Sequence, residues 1–197
     1  DQARIIERRK LFAGISDPAI HSQIQDEEAA LIATKLALKL SKKYQRRLHI
    51  LHLSTGIEAE LLRQDKPTWV TAEVTPQHLV LTTAEYARIG TLAQMNPPLR
   101  SADNLDVLWQ ALLDGVIDFI ATDHAPHTLA EKAQPYPQSP SGMPGVETSL
   151  AVMLTQAKQG KCTVAQVAHW MSKAVADAYL IPNKGVIAPG YDGDLVL

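Results

Sequence analysis

Three stretches of the chain have the length and apolar character of β-strands. They are LHILHLS (48–54), TWVTAEVTP (68–76) and VIDFIATD (116–123). The first stretch alternates with period two, which predicts that Ile50 and His52 share one face and that Leu53 lies on the other. The third is an almost continuous apolar run, which is typical of a parallel strand buried on both faces.

Segments with helical patterns lie between and after these strands. The predicted helices cover residues 26–44, 56–64, 102–114, 146–158 and 163–179. In the first, acidic residues stand at the start and lysines at the end, as the helix dipole favours. Its Ile32, Leu36 and Leu40 recur at i, i+4 and i+8 and predict the buried face. Alternating strands and helices indicate a parallel sheet, either doubly wound or part of a (β/α)8 barrel.

The barrel interpretation implies that part of the barrel is absent. A complete (β/α)8 barrel needs eight strands and about 250 residues, whereas this chain has 197 residues and three predicted strands. The chain opens on Asp1 without a methionine, and it ends in a strand-like DLVL. We therefore expect an α/β fold, a partial (β/α)8 TIM-type barrel without its N-terminal part. Residues 1–180 are expected to form the barrel portion, and 181–197 to return into a small, truncated β-domain.

Composition narrows the class of protein further. Hydrophobic residues make up 46% of the chain and charged residues 20%, which suits a packed soluble domain. The net charge of −2 lacks the basic excess of a nucleic-acid binder. A single cysteine, Cys162, excludes an internal disulfide and a cysteine zinc cluster, and it fits a reducing, cytoplasmic location. No apolar run reaches the roughly 18 residues of a membrane span, so we expect no membrane partner.

Polar side chains with possible chemistry follow the first and third strands. His52 ends the first, while Asp123, His124 and His127 follow the third and open a loop with five prolines between 126 and 144. Active sites of parallel sheets lie at these carboxyl ends. An imidazole and a carboxylate there suit zinc. Each also has a structural interpretation: a hydrogen-bonded buried histidine, a helix cap or a loop histidine. The remaining histidines are expected to be structural or on the surface: His21, His49, His78 and His169.

Five strings together are more specific than any single residue. They are HILHLST (49–55), TAEVTPQHL (71–79), MNPPLRS (95–101), ATDHAPHTLAEK (121–132) and SGMPGVET (141–148). In this order they resemble the dihydroorotases of the amidohydrolase superfamily, of the bacterial class I type. The closing GVIAPGYDGDLVL is similar to that family's return into a small β-domain. The resemblance covers nearly the whole chain from about residue 10 onward.

The resemblance implies a zinc enzyme of pyrimidine biosynthesis. Its reaction would be the hydrolysis, and reverse condensation, of the cyclic amide between dihydroorotate and N-carbamoyl-aspartate. By motif match, His52 on the sixth barrel strand would be a zinc ligand. Asp123, at the end of the eighth, would be both a zinc ligand and the general acid–base. Four further residues would bind or close over the substrate: Asn96, His127, Ser141 and Gly142.

The chain departs from the family pattern in two ways. Three features of the family have no match: the His-x-His on the first strand, the bridging lysine or its substitute on the fourth, and the histidine ending the fifth. At most two metal ligands of the usual set therefore remain. Many relatives also carry two histidines where this sequence has Gln77-His78. Because two ligands leave an open metal site and three strands leave barrel edges exposed, we expect that the chain alone does not hydrolyse dihydroorotate and that the remainder of the polypeptide completes the site.

Two other functions remain open at the level of sequence. One is a related cyclic amidohydrolase, an allantoinase or a hydantoinase. The other is a catalytically inactive scaffold for aspartate carbamoyltransferase. An exposed apolar face is also expected, which a homodimer partner or the rest of the polypeptide would cover.

Overall fold

Three parallel strands form the centre of the computed structural model, which describes residues 1–196. They are β1 (Leu48–Ile50), β2 (Val70–Val74) and β3 (Phe119–Ile120). Their order in the sheet is β1-β2-β3, and every pair is parallel. Helices connect each strand to the next on the chain, as in consecutive units of a barrel. The predicted α/β class and parallel arrangement are confirmed.

Eleven α-helices accompany these strands within residues 1–196. They are α1 (Gln2–Leu11), α2 (His21–Ile24), α3 (Glu27–Tyr44), α4 (Gly56–Asp65), α5 (Pro76–Val80), α6 (Glu85–Ile89), α7 (Ala102–Leu113), α8 (Leu129–Lys132), α9 (Ser149–Lys158), α10 (Val164–Ala168) and α11 (Ala174–Tyr179). A π-helical turn, His169–Lys173, joins α10 to α11, so the predicted helix 163–179 is one continuous element. Among the helices of residues 1–196, none is long and apolar enough to cross a membrane.

The buried face of α3 differs from the predicted one. Leu36 is 55% exposed and Leu40 is 45% exposed. The helix instead buries Leu38, and Thr34, whose hydroxyl donates a hydrogen bond to Glu58 Oε1 of α4 at 2.6 Å. This buried polar pair sets the side of α3 that meets α4, because a buried carboxylate needs a donor. The prediction from periodicity alone was wrong here.

The two faces of β2 have opposite character. Val70, Ala72 and Val74 lie in the hydrophobic core between the sheet and the helices. On the other face, Thr71 and Glu73 both contact the imidazole of His49 on β1, at 2.8 and 2.9 Å. A helix-covered apolar face and an inward face with polar groups are the arrangement of a barrel wall. The polar face leads directly to the strand ends where the candidate site lies.

The strands are shorter than predicted, and this changes one side-chain direction. β1 ends at Ile50, and His52 has a left-handed backbone with φ of 37°. The period-two alternation therefore stops before His52, and Leu53 packs in the same core as Ile50. The prediction that these two residues lie on opposite faces was wrong.

The C-terminal segment has no strand in the part of the chain that the structure describes. Residues 181–196 contain turns and bends only. A strand needs a neighbour to pair its backbone groups, and none of β1, β2 or β3 pairs with this segment. The small β-domain therefore stays a prediction.

Candidate metal and substrate site

The two predicted metal ligands lie just past the carboxyl ends of the outer strands. His52 follows β1 with φ of 37°, and Asp123 follows β3 with φ of 44°. The other non-glycine residues with positive φ in the described chain lie at helix ends or in a turn: Gln45, Leu180 and Asn183. A left-handed backbone costs about 1–3 kcal/mol and concentrates at functional sites. The strain singles out these two positions independently of their chemistry.

Neither side chain is held by another residue in the described part of the chain. Within residues 1–196, the His52 imidazole and the Asp123 carboxylate make no hydrogen bond or ion pair, although each is half-buried. Only the His52 backbone N–H has a partner, Glu73 Oε1 at 3.4 Å. Because β2 lies between β1 and β3, their ends are separated by about 10 Å, twice the strand spacing. Because neither side chain has a partner in residues 1–196, both are free to bind a ligand. Because their strand ends are far apart, the two side chains do not pair with each other.

These two residues suit zinc by donor type but supply only part of a zinc site. Imidazole nitrogen and carboxylate oxygen are both usual zinc ligands, and a catalytic zinc has three protein ligands as a rule. No group of three or more His, Cys, Asp or Glu residues suited to a metal occurs in the described part of the chain.

The end of the middle strand is built differently. His78 is 2% exposed, and its Nδ1 accepts a hydrogen bond from the Thr75 hydroxyl at 2.8 Å. Its Nε2 donates to the Pro97 carbonyl at 3.1 Å. Burial lowers the pKa of His78 to about 3, so the ring is neutral. His78 thus fastens the Asn96–Pro97 loop to the end of β2, which agrees with the structural role expected for it.

Asn96 lies on that loop and is held by α2. Its Oδ1 lies 2.8 Å from His21 Nε2 and 2.9 Å from Gln25 Nε2. His21 is buried, its Nε2 is also 3.0 Å from the Met95 carbonyl, and burial lowers its pKa. Sequence reasoning missed His21 as a site residue, because His21 and Asn96 are 75 positions apart and no local pattern links them.

A cleft of about 200 Å³ brings His52 and Asn96 together. Pro97, Pro98 and Arg100 also line it. Arg100 is buried and donates to the Gln25 carbonyl at 2.6 Å, so it fixes the α2 side of the cleft. The structure therefore places one predicted metal ligand and one predicted substrate-binding residue in a common space. Asp123 and His127 do not line this cleft.

The loop of Ser141 and Gly142 is fastened by a buried lysine. Lys132 Nζ donates to the carbonyls of Gln94 (2.9 Å), Pro140 (2.9 Å) and Gly142 (3.2 Å). Burial lowers the pKa of Lys132. The Gly142 N–H donates to the Gln94 carbonyl at 3.0 Å, and Gln94 Nε2 donates to Ser141 Oγ at 3.1 Å. Lys132 is a second residue that sequence reasoning missed, because the three carbonyls around its Nζ come together only in the folded loop.

His127 packs against the same loop. Its Nε2 lies 3.2 Å from the Ser141 carbonyl, and its ring is exposed. Gly142 has φ of 144°, and a Cβ there would come within 2.7 Å of the Ala125 carbonyl and 3.0 Å of His127 Nε2. Only glycine permits this approach. His127, Ser141 and Gly142 are thus one unit, joined to Asn96 through His21, whose Nε2 is 3.5 Å from Ser141 Oγ.

His124 has a structural role. Its Nδ1 accepts hydrogen bonds from the backbone N–H groups of Gly145 and Val146, at 3.0 and 3.2 Å. The backbone N–H of the next residue, Ala125, donates to the Met143 carbonyl at 3.0 Å. These bonds join the segment after Asp123 to the far end of the proline-rich loop, which brings the loop back over the end of β3.

Comparison with known proteins defines the class first. Residues 20–197 match the amidohydrolase family, and the chain belongs to this family. The dihydroorotase of Halobacterium salinarum is 40% identical over 184 residues, which are 92% of this chain and 42% of that protein. The dihydroorotase of Methanosphaera stadtmanae is 37% identical over 180 residues, 90% of this chain and 41% of that protein. The resemblance to dihydroorotases is confirmed.

A solved structure supports the same fold. The L-hydantoinase (dihydropyrimidinase) from Arthrobacter aurescens superposes with a TM-score of 0.91 at 31% identity, over 98% of this chain and 45% of that one. The chain thus spans less than half the length of the proteins it matches. The predicted partial barrel is confirmed.

Proposed function

We propose that this chain is the C-terminal part of a zinc-dependent dihydroorotase, which interconverts dihydroorotate and N-carbamoyl-aspartate in pyrimidine biosynthesis. The observation that carries the proposal is the pair His52 and Asp123. Both stand in strained backbone at the carboxyl ends of barrel strands, with side chains that no residue of 1–196 engages. The 40% identity to a dihydroorotase supports the choice of substrate.

Zinc fits the donor chemistry of these two residues, and the rest of the polypeptide would supply the remaining ligands. When bound, zinc would polarise the ring carbonyl and lower the pKa of a water molecule towards neutrality. The Asp123 carboxylate would accept a proton from the attacking water and return it to the departing amide nitrogen. This requires a carboxylate that is not paired with a protein cation, and Asp123 has no such partner within residues 1–196.

The remaining site residues would bind and orient the substrate. Dihydroorotate is an anion with several acceptor oxygens, so it requires hydrogen-bond donors. The Asn96 amide and the His127 imidazole would provide side-chain donors, and the backbone at Ser141 and Gly142 would lie over the bound ring. Lys132 and His78 would hold the two loops that carry these groups, and such positioning supports catalysis by keeping reacting groups in register.

A second candidate activity is hydrolysis of a related cyclic amide such as a hydantoin. The observation that favours it is the TM-score of 0.91 with L-hydantoinase at 31% identity. A scaffold for aspartate carbamoyltransferase, a homodimer and a cytoplasmic location remain predictions.

The test uses the complete polypeptide that contains this chain. We expect turnover of dihydroorotate well above that of hydantoin, its loss on removal of zinc with a chelator, and its recovery on adding zinc back. His52→Ala should lower both bound zinc and turnover. His169→Ala is the matched control, because His169 is exposed and lies in the π-helical turn before α11.

Three outcomes would contradict the proposal. Faster turnover of hydantoin would favour the second candidate. Turnover that survives complete removal of metal would exclude the zinc role. Absence of turnover with either substrate would favour the inactive scaffold.

A further inference from the structure

The protonation of the buried His21 ring follows from one contact. The Met95 carbonyl oxygen lies 3.0 Å from His21 Nε2, and a carbonyl oxygen only accepts hydrogen bonds. Nε2 therefore carries a hydrogen. His21 is 5% exposed, and burial lowers its pKa, so the ring is neutral and Nδ1 carries none.

The same hydrogen determines how the Asn96 amide is turned. The Asn96 side-chain atom 2.8 Å from His21 Nε2 faces a donor, so it must be the acceptor Oδ1 and not the amide nitrogen. Gln25 Nε2 donates to the same atom from 2.9 Å. With Oδ1 held by two donors on the α2 side, the Nδ2 hydrogens lie on the opposite side of the amide. Within residues 1–196 they donate no hydrogen bond, and Asn96 lines the cleft that contains His52.

The His21 ring is itself held in place. It forms a T-shaped pair with the ring of Tyr136, with centroids 5.8 Å apart and planes at 68°. Tyr136 belongs to the proline-rich loop and is buried. The Tyr136 ring and the Met95 carbonyl thus hold the His21 ring in place. If the Asn96 amide rotated, the Nε2–H donor of His21 could not move with it.

We propose that His21 is a positioning residue that keeps the Asn96 amide with its N–H₂ group directed into the cleft. There the group donates to an acceptor oxygen of the substrate. The inference rests on the proposed function, in which Asn96 contacts the substrate. The two orientations of an asparagine amide have nearly the same shape, so packing alone does not select one. The wrong orientation would present the carbonyl oxygen to an anionic substrate and repel it.

The kinetic test compares two variants of the complete protein. His21→Phe keeps an aromatic ring against Tyr136 but removes the donor, and His21→Gln returns a donor near the position of Nε2. We expect His21→Phe to raise KM for dihydroorotate about 10-fold, the loss of about one hydrogen bond, with kcat nearly unchanged. His21→Gln should restore most of the loss. His169→Phe is the control for a general effect of replacing histidine.

A double-mutant comparison separates positioning from general structural support. In an Asn96→Ala background there is no amide to orient, so adding His21→Phe should not change KM further. A merely structural role would give the same loss in both backgrounds, and this result would overturn the inference. An unchanged KM in the His21→Phe single variant would overturn it as well.

A spectroscopic measurement does not depend on the variants or on turnover. Nitrogen-15 NMR of the wild-type imidazole should show the hydrogen of His21 on Nε2, and a hydrogen on Nδ1 would contradict the inference. Failure of the proposed function has a different signature, because the wild-type protein would then not turn over dihydroorotate at all. If the wild type turns over dihydroorotate but His21 carries its hydrogen on Nδ1, only the inference about His21 is wrong. The same holds if His21→Phe raises KM equally in the wild-type and Asn96→Ala backgrounds.

Discussion

The three strand ends of this sheet carry polar side chains in two contrasting states. At the end of β2, Thr75 and His78 are buried and hydrogen-bonded to each other, and His78 also reaches the Pro97 carbonyl. At the ends of β1 and β3, His52 and Asp123 are half-buried and have no side-chain partner within residues 1–196. All four residues follow strands of one sheet at the same edge, yet among these four only His52 and Asp123 have side chains without a partner in residues 1–196.

The difference shows how to distinguish residues that stabilise the strand ends from residues that are available to bind a ligand. A buried polar group without a partner costs about 1–3 kcal/mol, so a fully buried position such as His78 must be satisfied by the protein. A half-buried group can remain free, because solvent or a ligand satisfies it. The backbone strain falls on the free pair, at φ of 37° and 44°, and not on the satisfied one. The contrast predicts that substitutions at the ends of β1 and β3 lower kcat, whereas substitutions at the end of β2 lower the free energy of unfolding.

The largest expected effect is on catalysis, at the end of β3. In the complete protein, Asp123→Asn should lower kcat for dihydroorotate by about 10³-fold, because the amide cannot accept and return a proton. The free energy of unfolding of the metal-free protein should change by no more than about 0.5 kcal/mol, since the Asp123 carboxylate has no hydrogen bond or ion pair to lose within residues 1–196. Steady-state kinetics and urea unfolding measure the two quantities.

Asp106→Asn is the matched control for this prediction. Asp106 is an exposed carboxylate on α7, so its replacement should leave both quantities unchanged. A large loss of stability in Asp123→Asn with little loss of kcat would reverse the comparison between the strand ends.

A smaller effect is expected from acid, through His78. Its pKa is about 3 in the folded protein and about 6.5 in an unfolded chain. The unfolded state therefore binds more protons between these values, so stability is full above pH 6.5 and falls as the pH drops. The contribution lost at pH 5 is about 2 kcal/mol. Unfolding in urea at pH 7 and pH 5 checks this.

His78→Gln should reduce that acid dependence, because glutamine does not titrate. His169→Gln should keep the wild-type dependence, since His169 is exposed. Equal slopes for the two variants would show that His78 is not the group responsible.

The smallest expected effect concerns the helix cap at the end of β2. Thr75 Oγ1 accepts from the His78 backbone N–H at the start of α5 and donates to the ring. Thr75→Val should lower the free energy of unfolding by about 1 kcal/mol, with little change in kcat. Thr148→Val is a close control, because Thr148 precedes α9 without a side-chain capping bond. If Thr75→Val lowered kcat without lowering the free energy of unfolding, the end of β2 would not have the structural role that separates it from the ends of β1 and β3.

Local patterns predicted much of the fold and part of the site. The helix from Glu27 to Tyr44 follows from its acidic start and its basic end, and the structure shows that Asp26, predicted as its first residue, is the N-cap. The positions of His52 and Asp123 follow from apolar runs that stop at a polar residue. These features depend on neighbours within a few residues, which is the range over which helix and strand periodicity act.

Contacts between distant segments could not be predicted in this way. Leu36 and Leu40 have the right spacing for a buried stripe, but the Thr34–Glu58 hydrogen bond turns another side of α3 towards α4. Lysine is usually a surface residue, yet three backbone carbonyls surround the Nζ of Lys132. In both cases the decisive partner comes from another element.

The sequence by itself determined the alternation of strands and helices and the resemblance to dihydroorotases. It also singled out His52 and Asp123 as candidate metal ligands. Only the tertiary structure decided which polar groups are already satisfied, where the backbone is strained and how Asn96 is turned. The physical reason is that propensity and periodicity are local properties of the chain, whereas burial and hydrogen-bond partnership are set by segments such as α2 and the Met95–Asn96 loop, 75 residues apart, that meet only after folding.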